Sequence, residues 1–278
     1  MITKEEILNK ASTSNLSPMM VEKDYVLGWI LAGISNHAAL SREWVFKGGT
    51  CLKKCYFPEY RYSEDLDFTI RGDASTDPNF IHICLSEVRG WLYEYSGIEV
   101  PEIIVQPFLG TEGKTLRGKL GYIGPLDQRG SLTRLKLDIT QNELMVAASV
   151  KTSIFHQYSD GDDFNYNAEA YSYNEIFAEK LRALFDRARP RDLYDVINLF
   201  ERKDNHSHDK EAIRDIFIKK LAFRGLPAIN SDSLISKIQE EELLSDWENM
   251  LAHQLGNLGP ANDYLAVLPK VVKWVTSD

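Results

Sequence analysis

The sequence predicts an α/β (α+β) fold, in which a mixed sheet with flanking helices is followed by a helical C-terminal domain. Apolar and polar residues alternate with the strand period of two over residues 65–70 and 132–140, whereas residues 79–95 show a helical period. A polar, turn-rich stretch over residues 161–170 separates this mixed part from a region of purely helical patterns. We therefore predict two domains, residues 1–165 and residues 166–278.

Local start and stop signals define the elements in chain order. Thr3 and Glu6 have capping-box spacing, and Ser17 followed by Pro18 supplies an N-cap for a helix over residues 19–35. Strands are expected at residues 45–47, 65–70, 98–108, 115–123 and 132–140. Ser172 begins a second capping box and a helix that runs to residue 185. After Pro190, helices are expected from residue 191 and over residues 210–223, 231–255 and 262–275.

The composition is that of an ordinary soluble globular protein, with 44% hydrophobic and 26% charged residues. A net charge of −9 argues against a general polyanion binder, so any contact with RNA must be local. No secretory signal is evident, and the longest apolar run, residues 26–34, is too short to span a bilayer. We expect a cytoplasmic protein without a membrane partner, and its three cysteines to be free thiols.

A phosphate-binding turn is expected at Gly48, Gly49 and Thr50. These residues follow a short strand and open a helix near Thr50. Exposed N–H groups and the helix dipole at such a position favour an anion.

A pair of carboxylates follows the glycine turn. In the strand over residues 65–70, Asp65 and Asp67 alternate with apolar residues and therefore share the polar face. Mg²⁺ is commonly held by one or two carboxylates together with substrate phosphates. The alternative is an ordinary Gly-Gly turn followed by an exposed acidic strand, but the ordered combination favours a metal–nucleotide site.

Asp138 is a candidate third carboxylate, because it lies on the polar face of the strand over residues 132–140. A charge on a half-exposed strand is the alternative. Basic residues are concentrated in the same region and form a local stripe. This stripe is either a surface that contacts RNA or triphosphate, or an ordinary solvated face. The stripe comprises Lys114, Arg117, Lys119, Arg129, Arg134 and Lys136.

Two spaced motifs resemble those of the nucleotidyltransferase-like AbiEii/AbiGii toxins, including the MenT-type toxins, of the DNA polymerase β-like superfamily. The first joins Gly48-Gly49-Thr50-x-Leu52 to Arg61-x-Ser63-x-Asp65-x-Asp67; Cys51 stands where many members have Ser. The second joins Ala178-Glu179-Lys180-Leu181 to Arg191-Asp192-Leu193-Tyr194-Asp195. Without the resemblance, the second motif would be an ordinary solvated helix surface. Glu22-Lys23-Asp24-Tyr25 also resembles a run of this family, and we interpret it as structural packing.

The resemblance implies a nucleotidyltransferase core whose active site the helical domain completes. Asp65 and Asp67, with Asp138 as third carboxylate, would hold Mg²⁺ or Mn²⁺. Gly48, Gly49, Thr50 and Ser63 would bind the nucleotide, with Ser63 bonding a phosphate or orienting the adjacent carboxylate. Lys180 would neutralise the triphosphate. Asp192 would orient Lys180 or accept a hydrogen bond from the nucleotide.

The expected activity is transfer of a nucleoside monophosphate from an NTP to RNA, above all to the 3′ end of tRNA, which blocks translation. The protein would act as a toxin with a cognate antitoxin, in a toxin–antitoxin or phage-defence system. The alternatives are nucleotidylation of a protein hydroxyl and a nucleotide-binding module without turnover.

Overall fold

A seven-stranded mixed sheet with helices forms the first of two units, and helices form the second. The computed structural model describes residues 1–72, 74–110, 113–203, 208–227 and 241–277. The first unit comprises Met1–Glu143 with Ser149–Ala170, and the second comprises Leu144–Ala148 with Tyr171–Asp278. The predicted fold class is confirmed.

The strands of the sheet lie in the order β3-β4-β5-β2-β1-β7-β6. They are β1 (Trp44–Lys47), β2 (Asp65–Ile70), β3 (Glu99–Gly110), β4 (Gly113–Ile123), β5 (Thr133–Thr140), β6 (Val150–Ser153) and β7 (Asn167–Ala170). β2 pairs in parallel with β5, and β1 pairs in parallel with β7, whereas the remaining pairs are antiparallel. The parallel pairing of β2 and β5 brings the two acid-bearing strands side by side.

Helices cover one face of the sheet. The helices of this unit are α1 (Lys4–Ser14), α2 (Pro18–Asn36), α3 (Leu40–Glu43), α4 (Gly48–Cys51) and α5 (Pro78–Ser96), and α4 continues as a π-helix over Leu52–Tyr56. Ser17 accepts the Met20 N–H at the start of α2, as its capping position predicts. Leu66, Phe68 and Leu137 are buried beneath the helices, which leaves the alternate acidic residues on the opposite face.

The run from Glu22 to Tyr25 fastens α2 to four other segments of the first unit. The bonds are Glu22 to the Leu126 N–H group (2.6 Å), Lys23 to Glu64 (2.8 Å), Asp24 to Lys54 (2.8 Å), and the Tyr25 hydroxyl to Asp160 (2.8 Å). Each bond joins residues that are far apart in sequence, so this run helps to build the first unit around α2.

The second unit begins with the two helices that carry the second motif. Its helices are α6 (Tyr173–Arg187), α7 (Pro190–Glu201), α8 (Lys210–Phe223), α9 (Glu241–Ser245), α10 (Trp247–Leu251) and α11 (Ala261–Thr276). Ser172 caps α6 by accepting the Glu175 N–H. The Glu175 carboxylate accepts the N–H groups of Val146 and Ala147 and pairs with buried Lys220, which attaches residues 144–148 to this unit.

Two strands and part of one helix differ from the sequence-based expectation. β6 and β7 were not predicted, because each has four residues and too little alternation to show a period. Since β7 belongs to the sheet, the units divide after residue 170, whereas the sequence suggested 165. Within the helix expected over residues 231–255, residues 231–240 lie outside the described part, and the remainder forms two short helices and a 3₁₀ turn. No helix among the described residues is long and apolar enough to cross a membrane.

Candidate active site

The exposed face of the sheet carries a row of four charged residues across adjacent strands. Lys47 on β1 lies opposite Asp67 on β2, which is in register with Asp138 on β5 and, beyond it, Arg117 on β4. Neighbouring strands lie about 4.8 Å apart, so the backbones of Asp67 and Asp138 are immediate neighbours. The register thus brings together two acids that are distant in the sequence.

Each end of this row is held by an ion pair. Arg117 Nε donates to Asp138 Oδ1 at 2.9 Å, and both side chains are about one-third exposed. Lys47 pairs with Glu143, which also accepts the Thr69 hydroxyl at 2.7 Å. Sequence reasoning missed Lys47 and Glu143: Lys47 stands next to the glycine turn, but Glu143 follows β5 without any periodic signal.

The three predicted metal ligands lie on one face but are not gathered around a common point. Asp65 and Asp67 share the polar face of β2 and are half-buried, whereas the Asp138 carboxylate bonds to Arg117. Across the described ranges, no group of three His, Cys, Asp or Glu side chains has a metal-holding arrangement. The oxygen donors of Asp65 and Asp67 suit a hard cation that is also bound by phosphates, which needs only one or two carboxylates.

The glycine turn packs directly against two charged side chains. Gly48 has φ of +82°, and a Cβ added there would overlap the Asp67 carboxylate. A Cβ added to Gly49 would lie 2.6 Å from Arg61 Nη2, and Arg61 is only 2% exposed. The absence of side chains therefore allows the turn to lie between an acid of β2 and a buried guanidinium group.

We expect Gly48→Ala to lower the free energy of unfolding by about 2 kcal/mol or more, because alanine is strained at this φ and its methyl group would displace Asp67. Gly90→Ala is the matched control, since a Cβ there meets no atom within 4 Å and alanine favours the α5 helix by up to about 1 kcal/mol. Urea unfolding followed by circular dichroism measures both variants. Equal stability of the two variants would contradict the proposed packing.

Thr50 and Ser63 lie near the two ends of the segment that joins the glycine turn to β2. The buried Thr50 hydroxyl donates to the Asp65 backbone carbonyl, which ties the start of α4 to the start of β2. Ser63 is largely buried two residues before Asp65. Within the π-helix, Lys53 stabilises this segment by donating a hydrogen bond to the Pro58 carbonyl at 3.0 Å.

In the second unit, Lys180 and Asp192 have different partners. Lys180 Nζ on α6 lies 2.7 Å from the carboxylate of Asp195, which is fully buried on α7. Asp192 instead accepts two hydrogen bonds from Arg187, at 2.7 and 2.9 Å. The expectation that Asp192 orients Lys180 is therefore corrected: Asp195 has this position, whereas Asp192 bonds to Arg187, the last residue of α6.

Comparisons with known proteins identify the family and the fold of this chain. Residues 29–270 match the family described as nucleotidyl transferase AbiEii toxin of type IV toxin–antitoxin systems. The fold is similar to the solved structure of MenT4, a nucleotidyltransferase toxin from Mycobacterium tuberculosis H37Rv. That similarity has a TM-score of 0.71 at 19% identity and covers 100% of this chain and 91% of that one. No curated protein matches the sequence.

Proposed function

Since the chain belongs to the AbiEii family of nucleotidyltransferase toxins of type IV toxin–antitoxin systems, we propose that it transfers a nucleoside monophosphate from an NTP to RNA, with the 3′ end of tRNA as acceptor. The observation that carries this proposal is the contact between the glycine turn and the Asp67 carboxylate. This contact places a backbone turn suited to a phosphate beside a carboxylate suited to a divalent cation.

In this reaction the acceptor hydroxyl oxygen forms a bond to the α-phosphorus. The bond between the α-phosphorus and the oxygen that bridges to the β-phosphate breaks, and pyrophosphate and the hydroxyl proton leave. Asp65 and Asp67 would hold Mg²⁺ or Mn²⁺, with Asp138 as third ligand once Arg117 releases it. When bound, such a cation neutralises phosphate charge and favours ionisation of a coordinated hydroxyl. Gly48 and Gly49 offer N–H groups to the triphosphate, and Thr50 positions Asp65 through its backbone carbonyl.

The remaining motif residues have proposed roles that follow the family resemblance. Ser63 bonds a phosphate or orients Asp65. Lys180 neutralises triphosphate charge, and the buried Asp195 carboxylate fixes the position of its ammonium group. Arg187 already donates two hydrogen bonds to Asp192, which stabilises the start of α7. Asp192 accepts a hydrogen bond from the nucleotide only if these two bonds are rearranged.

An RNA acceptor accounts for toxicity, because a tRNA with a blocked 3′ end cannot be aminoacylated. It also places the reaction in the cytoplasm, and membership of a type IV toxin–antitoxin family implies a cognate antitoxin.

To test this proposal, the purified protein is incubated with Mg²⁺, total RNA and each α-labelled NTP in turn. Label in ribonuclease-sensitive material of tRNA size is the expected result, and the productive NTP gives the base preference. Label that survives ribonuclease but not protease would instead establish nucleotidylation of a protein. Absence of label with every NTP, across RNA and protein acceptors, would contradict nucleotidyl transfer.

A further inference from the structure

The exposed face of β3, β4 and β5 carries cations immediately beside the acidic site. Lys136 on β5 is in register with Asp65 on β2 and, on its other side, with Lys119 on β4. Residues paired in this way have Cβ atoms about 5 Å apart. We call Lys119, Lys136 and Phe108 together the basic face.

The two lysines are not used to hold the fold together. Among the residues the structure describes, neither lysine forms an ion pair, and Lys136 is exposed. Lys119 is half-exposed. The pKa of nearby Glu102 is lowered mainly by a hydrogen bond from Arg134 at 2.5 Å and less by the charge of Lys119. In a protein with net charge −9, two such cations beside an active-site acid form a local site for an anion.

Phe108 adds an aromatic surface at the edge of the same sheet. Its side chain is 38% exposed, and the Arg117 guanidinium lies 3.7 Å from the ring centroid while also bonding Asp138. Phe108 is in register with Thr115, which alternates with buried residues of β4 in the same phase as Arg117 and Lys119, so its ring lies on the same face as these cations. Aromatic rings next to cations are typical of single-strand binding sites.

The strand order separates this face from the expected triphosphate position. The glycine turn follows β1 on one side of β2, whereas β5 and β4 lie on the other side. A triphosphate at the glycine turn therefore leaves the β5 side of Asp65 and Asp67 for the second substrate. That second substrate must bring its hydroxyl to the carboxylates and extend over Lys136.

From this geometry we infer that the basic face binds the single-stranded segment of the RNA acceptor that precedes its reacting 3′ end. Lys136 and Lys119 contact successive backbone phosphates, and a nucleobase stacks against the exposed ring of Phe108. The inference rests on the proposed function and assigns where its acceptor binds. It also explains how a strongly acidic protein attracts RNA locally.

The test measures binding of a short, fluorescein-labelled single-stranded RNA by fluorescence anisotropy over a range of salt concentrations. The variant Lys119→Gln with Lys136→Gln is expected to bind about tenfold more weakly at low salt, and its log–log salt slope to be shallower by about 1.4, or about 0.7 for each lost phosphate contact. The control pairs Lys4→Gln with Lys151→Gln, which removes the same charge from exposed positions on α1 and the far edge strand β6.

A second pair of variants tests the stacking surface. Phe108→Ala is expected to weaken RNA binding about tenfold with little change in salt slope, since stacking involves no counterion release. Phe80→Ala is the control, because Phe80 is equally exposed, at 39%, but lies on α5. In steady-state assays, the lysine variant should raise KM for RNA while leaving kcat and the KM for NTP unchanged.

The outcomes separate this inference from the proposed function. If the wild-type protein labels RNA but the lysine variant keeps the affinity, salt slope and KM of its charge-matched control, the basic face is not the acceptor site although the reaction stands. If the wild-type protein neither binds nor labels RNA, both fail. A lower kcat with unchanged RNA affinity would also overturn the inference, since it would place the lysines in the chemical step.

Discussion

Asp67→Asn is expected to reduce nucleotidyl transfer by about a thousandfold or more, while the protein remains folded. The amide removes the negative charge that faces the glycine turn, and with it a ligand for the divalent cation that stabilises charge during transfer. Asp67 is half-buried on the polar face of β2, so the substitution removes no apolar packing. Transfer is measured as incorporation of α-labelled NTP at saturating Mg²⁺, and folding by circular dichroism.

Asp127→Asn is the matched control for Asp67→Asn. It makes the same chemical change at an exposed residue of the first unit, whose φ of 53° asparagine also tolerates. This variant should transfer at the wild-type rate. Wild-type transfer by a folded Asp67→Asn protein would remove Asp67 from the metal site.

Lys54→Met is expected to lower the free energy of unfolding by about 3–5 kcal/mol, because it leaves the Asp24 carboxylate buried without its partner. Burial alone would raise the pKa of Asp24, but the ammonium groups of Lys54 and Lys53 hold that pKa below its ordinary value. The Tyr158 hydroxyl also donates to Asp24, at 2.9 Å. This pair attaches the π-helix, which follows the glycine turn, to helix α2.

Two further variants make this prediction specific to the buried pair. Replacing both partners, Asp24→Leu with Lys54→Met, should destabilise the protein much less than Lys54→Met alone, because no buried charge is left unpaired. Lys219→Met breaks an exposed pair with Asp215 and should leave the urea midpoint almost unchanged. A Lys54→Met midpoint equal to that of Lys219→Met would show that the buried pair does not hold the π-helix in place.

The sequence predicted elements whose signals are local. The strand Asp65–Ile70 and the helix Lys210–Phe223 have clear periods, and both were located with the bounds observed. β6 and β7 form only through pairing with each other and with β1, so neither has enough local pattern to be recognised. Short strands that depend on distant partners are therefore the part of this fold that period analysis misses.

The candidate site was predictable in its residue types but not in its pairings. The resemblance implied Asp192 as the residue that orients Lys180, whereas the packing of α6 and α7 pairs Lys180 with Asp195, three residues later. The ion pair of Arg117 with Asp138 depends on the register of β4 with β5, which neither strand specifies alone. The assignments of Asp65, Asp67 and Asp138 to a cation and of Gly48 and Gly49 to a triphosphate stay predictions.

The most direct test of the account is intact-mass analysis of a defined tRNA after reaction with Mg²⁺ and the productive NTP. We predict a mass increase equal to one or more nucleoside monophosphates, matched by released pyrophosphate, on tRNA with a free 3′ hydroxyl. The same tRNA ending in a 3′ phosphate should remain unchanged. An unchanged mass for the free 3′ hydroxyl form under conditions that consume NTP, or an equal increase for both forms, would contradict transfer to the RNA 3′ end.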